Sequence, residues 1–122
     1  MLAQFVARAR AGKTIELSDG GTFGADLVYV DDVVRAIIAG IERDARGIFN
    51  VGSGQRTTSR QAAIEVFRAV GAAEPDISIT GKAPTALSGF AALNVSRARR
   101  ELGYEPLHLR DGLARWLSEA ER

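Results

Sequence analysis

The fold is decided by the stretch DLVYVDDVVRAIIAGIER, residues 26–43. Residues 27–30 are rich in β-branched and aromatic side chains and predict a strand. Asp31 or Asp32 then offers an N-cap carboxylate to a helix that the apolar pattern predicts over residues 33–43. That helix is apolar on nearly all sides, so neighbouring elements must cover nearly all of it. A chain of 122 residues has few elements for this task, which indicates that neighbours are missing.

Short elements are predicted on the N-terminal side of this stretch. Apolar residues at helical spacing predict a helix over residues 2–11, and Gly12 is a natural stop. Residues 14–17 predict a short strand, and the Ser-Asp-Gly-Gly sequence at 18–21 predicts a turn after it.

On the C-terminal side, residues 47–52 predict a buried strand that runs into a Gly-rich turn. Thr58 is expected to start a second helix directly after this turn, because Gln61 completes a capping-box pattern with it. Gly71 is expected at the C′ position of that helix.

The remaining residues predict one more strand and two helices. A short strand is expected over residues 77–80, followed by a loop over residues 81–89. Ser96 is expected to cap a short helix that ends at Gly103. Apolar residues at helical spacing then predict a terminal helix, with Trp116 in the core.

Strands that alternate with helices in this way predict an α/β fold with a small, partly parallel sheet and flanking helices. A parallel β-α-β unit takes about 30 residues or more, so the sheet must be small. We expect a single domain over residues 1–122.

Composition excludes several classes of function. The chain has 16 Lys and Arg against 15 Asp and Glu, without a basic cluster, so neither nucleic acid nor an anionic membrane is expected as a partner. It has no cysteine, which excludes disulfides and thiolate metal sites, and one histidine, which cannot form a multi-histidine metal site. No apolar run approaches the roughly 18 residues of a membrane span, and a cytoplasmic location is expected.

Three segments together resemble one protein family. They are DLVYVDDVVRA at 26–36, GIFNVGSG at 47–54 and NVSRARRELGYEP at 94–106. In this order and spacing they resemble the C-terminal half of extended short-chain dehydrogenase/reductases, the NAD(P)-dependent epimerase/dehydratase family. The resemblance implies a bilobal enzyme with an N-terminal Rossmann lobe for NAD or NADP, which this sequence lacks, and a C-terminal lobe for a nucleotide-sugar.

The resemblance also implies residues for hydride chemistry, and the sequence does not contain them. The family uses a Tyr-x-x-x-Lys pair, but Val33 stands four residues after Tyr29 and His108 four residues after Tyr104. The nearest match to a dinucleotide fingerprint is GSGQRT at 52–57, where Thr57 replaces the third glycine. We interpret it as a structural turn and expect this chain to bind neither NAD nor NADP alone.

Candidate substrate-binding residues follow from the same resemblance. Ile15, Glu16 and Leu17 match a strand whose backbone pairs with the nucleotide base in the family, although an ordinary edge strand is an equal alternative. Lys82 lies in the loop where the family carries an arginine that holds the diphosphate, and its alternative role is that of an exposed loop lysine.

Three positions depart from the family pattern. Ala25 stands where the family has its other diphosphate-binding arginine, Leu27 replaces an aromatic residue, and Asn94 replaces an aspartate. Either the diphosphate is held differently in this chain or the substrate is not a nucleotide-sugar.

Other polar residues favour structural roles. For Asp31 and Asp32, helix capping is favoured over acid–base or metal chemistry. His108 is expected on the surface, and Arg97 with Glu101 is expected to form a solvated ion pair at i,i+4 spacing.

The sequence therefore supports two hypotheses of different classes. The first is the substrate-side portion of an NAD(P)-dependent nucleotide-sugar epimerase or dehydratase, unable to catalyse the reaction alone. The second is a non-catalytic binding or dimerisation module derived from that family, with self-association through residues 33–41. A self-sufficient hydrolase or transferase is disfavoured, because no nucleophile and base can be paired.

Overall fold

Five α-helices and four short strands lie within residues 1–121, the part of the chain that the computed structural model describes. In chain order they are α1 Leu2–Arg10, β1 Ile15–Leu17, β2 Gly24–Asp26, α2 Val30–Glu42, β3 Arg56–Thr58, α3 Ser59–Ala69, β4 Ile77–Ile79, α4 Ser96–Leu102 and α5 Leu109–Ala120. A 3₁₀ turn at Asp19–Gly21 follows β1.

The strands form two separate pairs. β1 pairs with β4 in parallel, with Ile15 opposite Ile77, and β2 pairs with β3 in antiparallel, with Gly24 opposite Thr58. The expected α/β fold with a small, partly parallel sheet and flanking helices is confirmed.

Two apolar cores hold these elements together. In the larger core, α1, α3 and α5 pack against β1, whose Ile15 is fully buried together with Val66 of α3. The smaller core joins α2 to α4 through Ala36, Ala98 and Leu102. Trp116 is half-buried and packs against the larger core, in agreement with the sequence.

Local sequence signals give most of the helix boundaries correctly. The hydroxyl of Thr58 accepts a hydrogen bond from the Gln61 amide, and the Gln61 side chain accepts one from the Thr58 amide, so the predicted capping box is confirmed. Gly71 and Gly103 take positive φ values of 77° and 63° just after α3 and α4. Only glycine adopts this conformation without strain, which explains why both helices end there.

The strand predicted over residues 27–30 is wrong. The strand lies instead at Gly24–Asp26, because those residues pair with the backbone of β3. The sequence predicts a turn where β3 lies, so this partner was not expected. α2 consequently starts at Val30, three residues earlier than predicted.

Asp31 and Asp32 do not cap α2, because Tyr29 occupies the N-cap position. Asp32 is instead buried in the first turn of the helix, where its carboxylate accepts hydrogen bonds from Arg35 and from the Leu107 amide. It ties the start of α2 to the segment that precedes α5.

The strand predicted over residues 47–52 is also absent from the described structure. Phe49 and Val51 pack on the smaller core while Ile48 and Asn50 are exposed, which is the alternation of a strand. No backbone within residues 1–121 pairs with this segment, and a strand needs a paired neighbour.

Ser96 is the first residue of α4 and does not cap it. The side chain of Asn94 accepts a hydrogen bond of 3.0 Å from the Ser96 amide, so the capping contact comes from two residues earlier. Within residues 1–121, no helix combines the length and apolar character that crossing a membrane requires.

We expect Leu113→Ala to lower the free energy of unfolding by about 2–5 kcal/mol, because Leu113 is 2% exposed in the larger core and its loss leaves a cavity. Leu87→Ala is the control, since Leu87 is 61% exposed in a loop and its truncation should change stability by no more than about 0.5 kcal/mol. Urea unfolding followed by circular dichroism measures both. Equal losses for the two variants would contradict the position of the core.

Candidate substrate-binding site

The strand β1 offers the backbone groups of one residue, Glu16, on its free edge. The Ile15 amide donates to Asp76, and the Leu17 carbonyl accepts from Thr80, so these two residues face β4. Residues that are two apart along a strand form hydrogen bonds with the same neighbouring strand. Because Ile15 and Leu17 bond β4, the amide and carbonyl of Glu16 point away from β4. No second strand within residues 1–121 pairs with this edge.

The structure brings Lys82 close to the end of β1. The Gly20 amide, in the turn after β1, donates to the Thr80 carbonyl at 3.2 Å. A Cβ atom added at Gly20 would lie 2.9 Å from the backbone nitrogen of Ala83, the residue next to Lys82. The loop that carries Lys82 therefore lies against the turn that follows β1. We call the surface formed by residues 18–24 and 80–90 the loop face. Lys82 itself is exposed on it.

Arg56, the first residue of β3, contacts both segments of the loop face and is not among the residues that the sequence predicted for the site. Its Nε donates to the Phe90 carbonyl at 3.1 Å, and its Nη2 donates to the carbonyls of Thr22 at 2.9 Å and Ser88 at 2.6 Å. A Cβ atom at Gly24 would lie 2.3 Å from Arg56 Cζ, so only glycine leaves room for the guanidinium. The side chain thus crosses β2 and joins the two segments of the loop face.

The carboxylate of Asp26 fills the Gly-rich turn at residues 52–54. It accepts hydrogen bonds from the amide and hydroxyl of Ser53, both at 2.6 Å, and from the amides of Gly54 and Leu93, both at 3.0 Å. Burial raises the pKa of Asp26, but the hydrogen bonds from Ser53, Leu93 and Gly54 outweigh it and hold the pKa below 3.8.

This arrangement does not fit the pyrophosphate of a dinucleotide. The amides that a phosphate would need, those of Ser53 and Gly54, already donate to Asp26. The turn also leads into the strand β3, whereas a dinucleotide fingerprint opens directly into a helix. The geometry supports the interpretation of this segment as a structural turn.

Neither tyrosine is arranged for acid–base chemistry. The Tyr29 hydroxyl donates to Glu119 at 2.7 Å, and this hydrogen bond raises its pKa to about 12. Burial raises the pKa of Tyr104, whose hydroxyl donates to the Gly52 carbonyl at 2.5 Å. A general acid or base works best with a pKa near the operating pH, and both shifts are in the opposite direction.

The predicted solvated ion pair of Arg97 with Glu101 at i,i+4 spacing is confirmed, but Arg97 has a further role that the sequence did not predict. Arg97 does pair with Glu101 at 2.6 Å, but its guanidinium also donates to the carbonyls of Arg46 and Ile48, each at 2.9 Å. It lies 4.3 Å from the centre of the Phe49 ring. Arg97 is half-buried and fixes the segment that was predicted as a strand.

His108 is exposed at the start of α5, as expected. No group of three or more His, Asp or Glu side chains in the described part of the chain is arranged to hold a metal ion.

An apolar surface lies on α2. Its outward stripe consists of Val30, Val34, Ile37, Ile38 and Ile41, which are between 45% and 75% exposed. Val30 also lines an apolar cavity of about 250 Å³ between the start of α2 and α5. The stripe and the cavity are therefore continuous, and we call them together the α2 surface.

Comparisons with known proteins agree with the fold. Residues 1–52 match the model of the NAD dependent epimerase/dehydratase family. The chain is 33% identical over 108 residues to the dTDP-L-rhamnose 4-epimerase of Burkholderia thailandensis, which covers 87% of the chain and 29% of that protein. It is 34% identical over 120 residues to the UDP-glucose 4-epimerase of Mycolicibacterium smegmatis, which covers 94% of the chain and 37% of that protein.

Solved structures give the same result. The UDP-glucose 4-epimerase of Thermotoga maritima with UDP-glucose superposes on 99% of the chain with a TM-score of 0.73 and 28% identity, and the chain covers 40% of it. The fold is thus that of the C-terminal part of an extended short-chain dehydrogenase/reductase. The chain belongs to the NAD-dependent epimerase/dehydratase family, and it spans 29% and 37% of the length of the two curated relatives.

We expect Asp26→Asn to lower the free energy of unfolding at pH 7 by about 1.5–3 kcal/mol, the range for hydrogen bonds to a charged group. The folded-state pKa of Asp26 is depressed, so this contribution is complete above the ordinary value of 3.8 and is lost as the pH falls through the folded-state pKa. The difference between wild type and Asp26→Asn should therefore shrink below about pH 4. Chemical unfolding at a series of pH values measures it.

Asp31→Asn is the control for this experiment, because Asp31 is an exposed carboxylate on α2. Its removal should leave stability nearly unchanged. A difference between wild type and Asp26→Asn that stays constant down to pH 3 would contradict the role of the ionised carboxylate.

Proposed function

We propose that this chain is the substrate-binding part of an NAD(P)-dependent enzyme that acts on a nucleotide-sugar, with hydride transfer depending on residues outside it. The observation that carries the proposal is the free edge of β1 beside the loop face, where Glu16 offers one amide and one carbonyl. The names of the relatives and the UDP-glucose in the Thermotoga maritima structure support a nucleotide-sugar as the ligand.

The chemistry of the base matches this edge. Uracil and thymine each present a ring N–H beside carbonyl oxygens, so a single residue that offers a C=O and an N–H in the same direction can bond both. Recognition through the backbone is the same interaction that adds a strand to a sheet edge. Ile15 and Leu17 position Glu16, because their buried side chains anchor β1 in the larger core.

Redox chemistry by this chain alone is disfavoured. Both tyrosine hydroxyls donate to other residues of the chain, and the Gly-rich turn is occupied by Asp26. Calorimetric titrations test the proposal: UDP-glucose should bind, whereas NAD and NADP should not. Micromolar affinity for either dinucleotide would contradict this division of roles, and the absence of any uridine-nucleotide binding would contradict the proposed function.

We expect Glu16→Pro to weaken UDP-glucose binding by about 3- to 10-fold, the effect of one hydrogen bond, because proline has no amide N–H. The bonds of β1 to β4 use Ile15 and Leu17, so that pairing is retained. Glu16→Ala keeps the amide and is the matched control, with affinity near that of wild type. Equal affinities for the two variants, measured by calorimetry after their amide spectra confirm folding, would exclude Glu16 from base recognition.

The second candidate function, a dimerisation or docking module, is favoured by the α2 surface. Five apolar side chains exposed along one side of a helix form a contiguous patch of the kind that marks interaction sites. The stripe begins at Val30 and continues to Ile41, so it includes the predicted region 33–41 and extends it by one turn. Ile48, which is 85% exposed, belongs to the nearby segment that has strand-like alternation without a paired neighbour.

These features support a role for the α2 surface as an interface. In an enzyme of the length of the relatives, the remaining part of the protein would cover it. In the 122-residue chain alone, a second copy is the proposed occupant, because an exposed apolar stripe and an unpaired backbone edge both promote association.

We expect the wild-type chain to self-associate with increasing concentration and the double variant Ile37→Glu with Ile41→Glu to remain monomeric, because two carboxylates cannot be buried in an apolar interface without a large cost. Leu87→Glu is the control, since Leu87 is similarly exposed but belongs to the loop after β4 and not to α2. Sedimentation velocity over a range of concentrations measures the association. A wild-type chain that stays monomeric throughout would contradict the proposal.

A further inference from the structure

We propose that residues 81–93, which we call the strap, open and close on the rest of the molecule as one unit, and that Arg56 is the latch that holds the strap closed. The strap leaves β4 after Thr80, whose amide donates to the Leu17 carbonyl at 2.8 Å. It ends shortly before Val95, which is 5% exposed in the smaller core. Both ends are fixed, so opening is confined to the segment between them.

The strap has no anchor in an apolar core. None of its residues, all of which lie in the described part of the chain, belongs to the larger or the smaller core. Its large apolar side chains, Leu87, Phe90 and Leu93, are between 42% and 69% exposed. A segment with few buried apolar contacts opens at a lower free energy than the whole fold, so polar contacts must hold the strap closed.

These polar contacts are concentrated in the second half of the strap. The Gly24 amide of β2 donates to the Ser88 carbonyl at 2.9 Å, and the Phe90 amide donates to the Gly24 carbonyl at 2.8 Å. Residues 81–87 form no hydrogen bond with any other residue of 1–121. The first half of the strap, which includes Lys82, therefore stays in place only as long as the second half is held.

Two oppositely charged side chains hold the second half. Asp26 and Arg56 lie directly opposite each other in the β2–β3 pair, so their side chains share one face. They bind the backbone of the strap: Arg56 donates to the carbonyls of Ser88 at 2.6 Å and Phe90 at 3.1 Å, and Asp26 accepts from the Leu93 amide at 3.0 Å.

Arg56 rather than Asp26 is the latch, because it acts on the middle of the strap. Asp26 holds the last strap residue and also binds the turn at residues 52–54. The guanidinium of Arg56 binds only carbonyl oxygens, and no carboxylate within residues 1–121 lies within 4.0 Å of it. Release of the strap therefore breaks hydrogen bonds that water can replace, and no ion pair.

Two glycines allow the strap to close. A Cβ atom at Gly89 would lie 2.2 Å from the Gly24 carbonyl oxygen, and one at Gly24 would lie 2.3 Å from Arg56 Cζ. Gly89 also has a positive φ of 86°, which other residues rarely adopt. A side chain at position 89 is thus incompatible with the closed strap.

Closure has one consequence that rests on the proposed function. A Cβ atom at Gly20 would lie 2.9 Å from the backbone nitrogen of Ala83, so the closed strap sets this residue against the turn that follows β1. Opening moves the neighbouring Lys82 away from that turn. If Lys82 contacts the substrate, the latch sets its position, and Arg56 is a positioning residue.

Hydrogen exchange of the wild-type chain, followed by NMR, tests the opening without any substitution. The Gly24 and Phe90 amides report on the strap, and the amide of the fully buried Val66 in α3 reports on global unfolding. After correction for intrinsic rates, the strap amides should exchange at least about 100-fold faster than Val66. Low urea concentrations should accelerate Val66 but not the strap amides, because local opening exposes little surface. Equal rates and equal urea dependence would overturn the proposal.

Two variants test the latch. Arg56→Gln should accelerate exchange of the Gly24 and Phe90 amides by about tenfold or more, the effect of charge-assisted hydrogen bonds, and should accelerate Val66 by no larger factor. Unchanged strap amides together with a faster Val66 would show that Arg56 only stabilises the fold.

Gly89→Ala should accelerate the strap amides at least as much as Arg56→Gln. Arg68→Gln, on the surface of α3, is the control for the charge. Gly12→Ala is the control for backbone strain, because Gly12 has a φ of 63° and no atom within 4 Å of an added Cβ. Both controls should leave exchange of the strap amides as in wild type, and acceleration by either would contradict the assignment of the latch.

UDP-glucose separates the latch from the proposed function. At a free concentration of about 100 times its Kd, a ligand that binds only the closed strap should slow exchange of the Gly24 and Phe90 amides by up to about 100-fold. Bound ligand with unchanged strap exchange would exclude the strap from the site and leave the proposed function standing. Absence of binding by calorimetry would contradict the proposed function, whereas the latch is decided by the exchange rates without ligand.

Discussion

The carboxylate of Asp26 joins three segments that are far apart in the sequence. Its partners, Ser53, Gly54 and Leu93, lie 27, 28 and 67 residues away from it. β2 and β3 have only three residues each, and an isolated pair of such strands is marginal in water. The side-chain hydrogen bonds of Asp26 supply the tertiary contact that the short ladder lacks. The position of Arg56 on β3, and with it the loop face, depends on this contact.

The apolar residues of α2 lie in two environments, the smaller core and the exposed surface. One side of the helix contributes Ala36 to the smaller core, while the opposite side exposes the stripe from Val30 to Ile41. Arg97 fixes the neighbouring segment through the carbonyls of Arg46 and Ile48 and through the Phe49 ring. Helix and segment together present an apolar face beside an unpaired backbone, and both features are ones that a partner element stabilises.

The sequence predicted what depends on neighbours in the chain. The capping box of Thr58 and Gln61 and the terminal glycines of α3 and α4 need only contacts within a few residues, and they were predicted correctly. The strands predicted over residues 14–17 and 77–80 are confirmed as β1 and β4. Those predicted over residues 27–30 and 47–52 were wrong, because a strand is defined by its partner. Residues 47–52 carry the right alternation but have no partner within residues 1–121, whereas β2 lies where β3 can pair with it.

The candidate site also contains residues that the sequence predicted and residues that it did not. Ile15, Glu16, Leu17 and Lys82 were selected from the family resemblance. In the structure Glu16 and Lys82 are exposed, whereas Ile15 and Leu17 are buried in the larger core. The tertiary roles of Asp26, Asp32 and Arg97 were not visible in the sequence, because the backbone groups that they bind at Ser53, Leu107 and Ile48 lie 27, 75 and 49 residues away. The one signal for Arg56 is Gly24, whose missing side chain accommodates the guanidinium, and that signal has meaning only once the register is known.

The hydrogen bonds distinguish polar groups that already have a partner within the chain from groups that remain available to a ligand. The two tyrosine hydroxyls and the amides of Ser53 and Gly54, which could have served redox chemistry or a bound dinucleotide, all have partners within the chain. The amide and carbonyl of Glu16 remain available on the free edge of β1, which the larger core holds in place. Under the proposed function, these two groups recognise the base of a nucleotide-sugar, a part of the ligand that does not react. A surface of this kind can hold a substrate in a fixed orientation, while the choice of reaction is made by residues that contact the sugar.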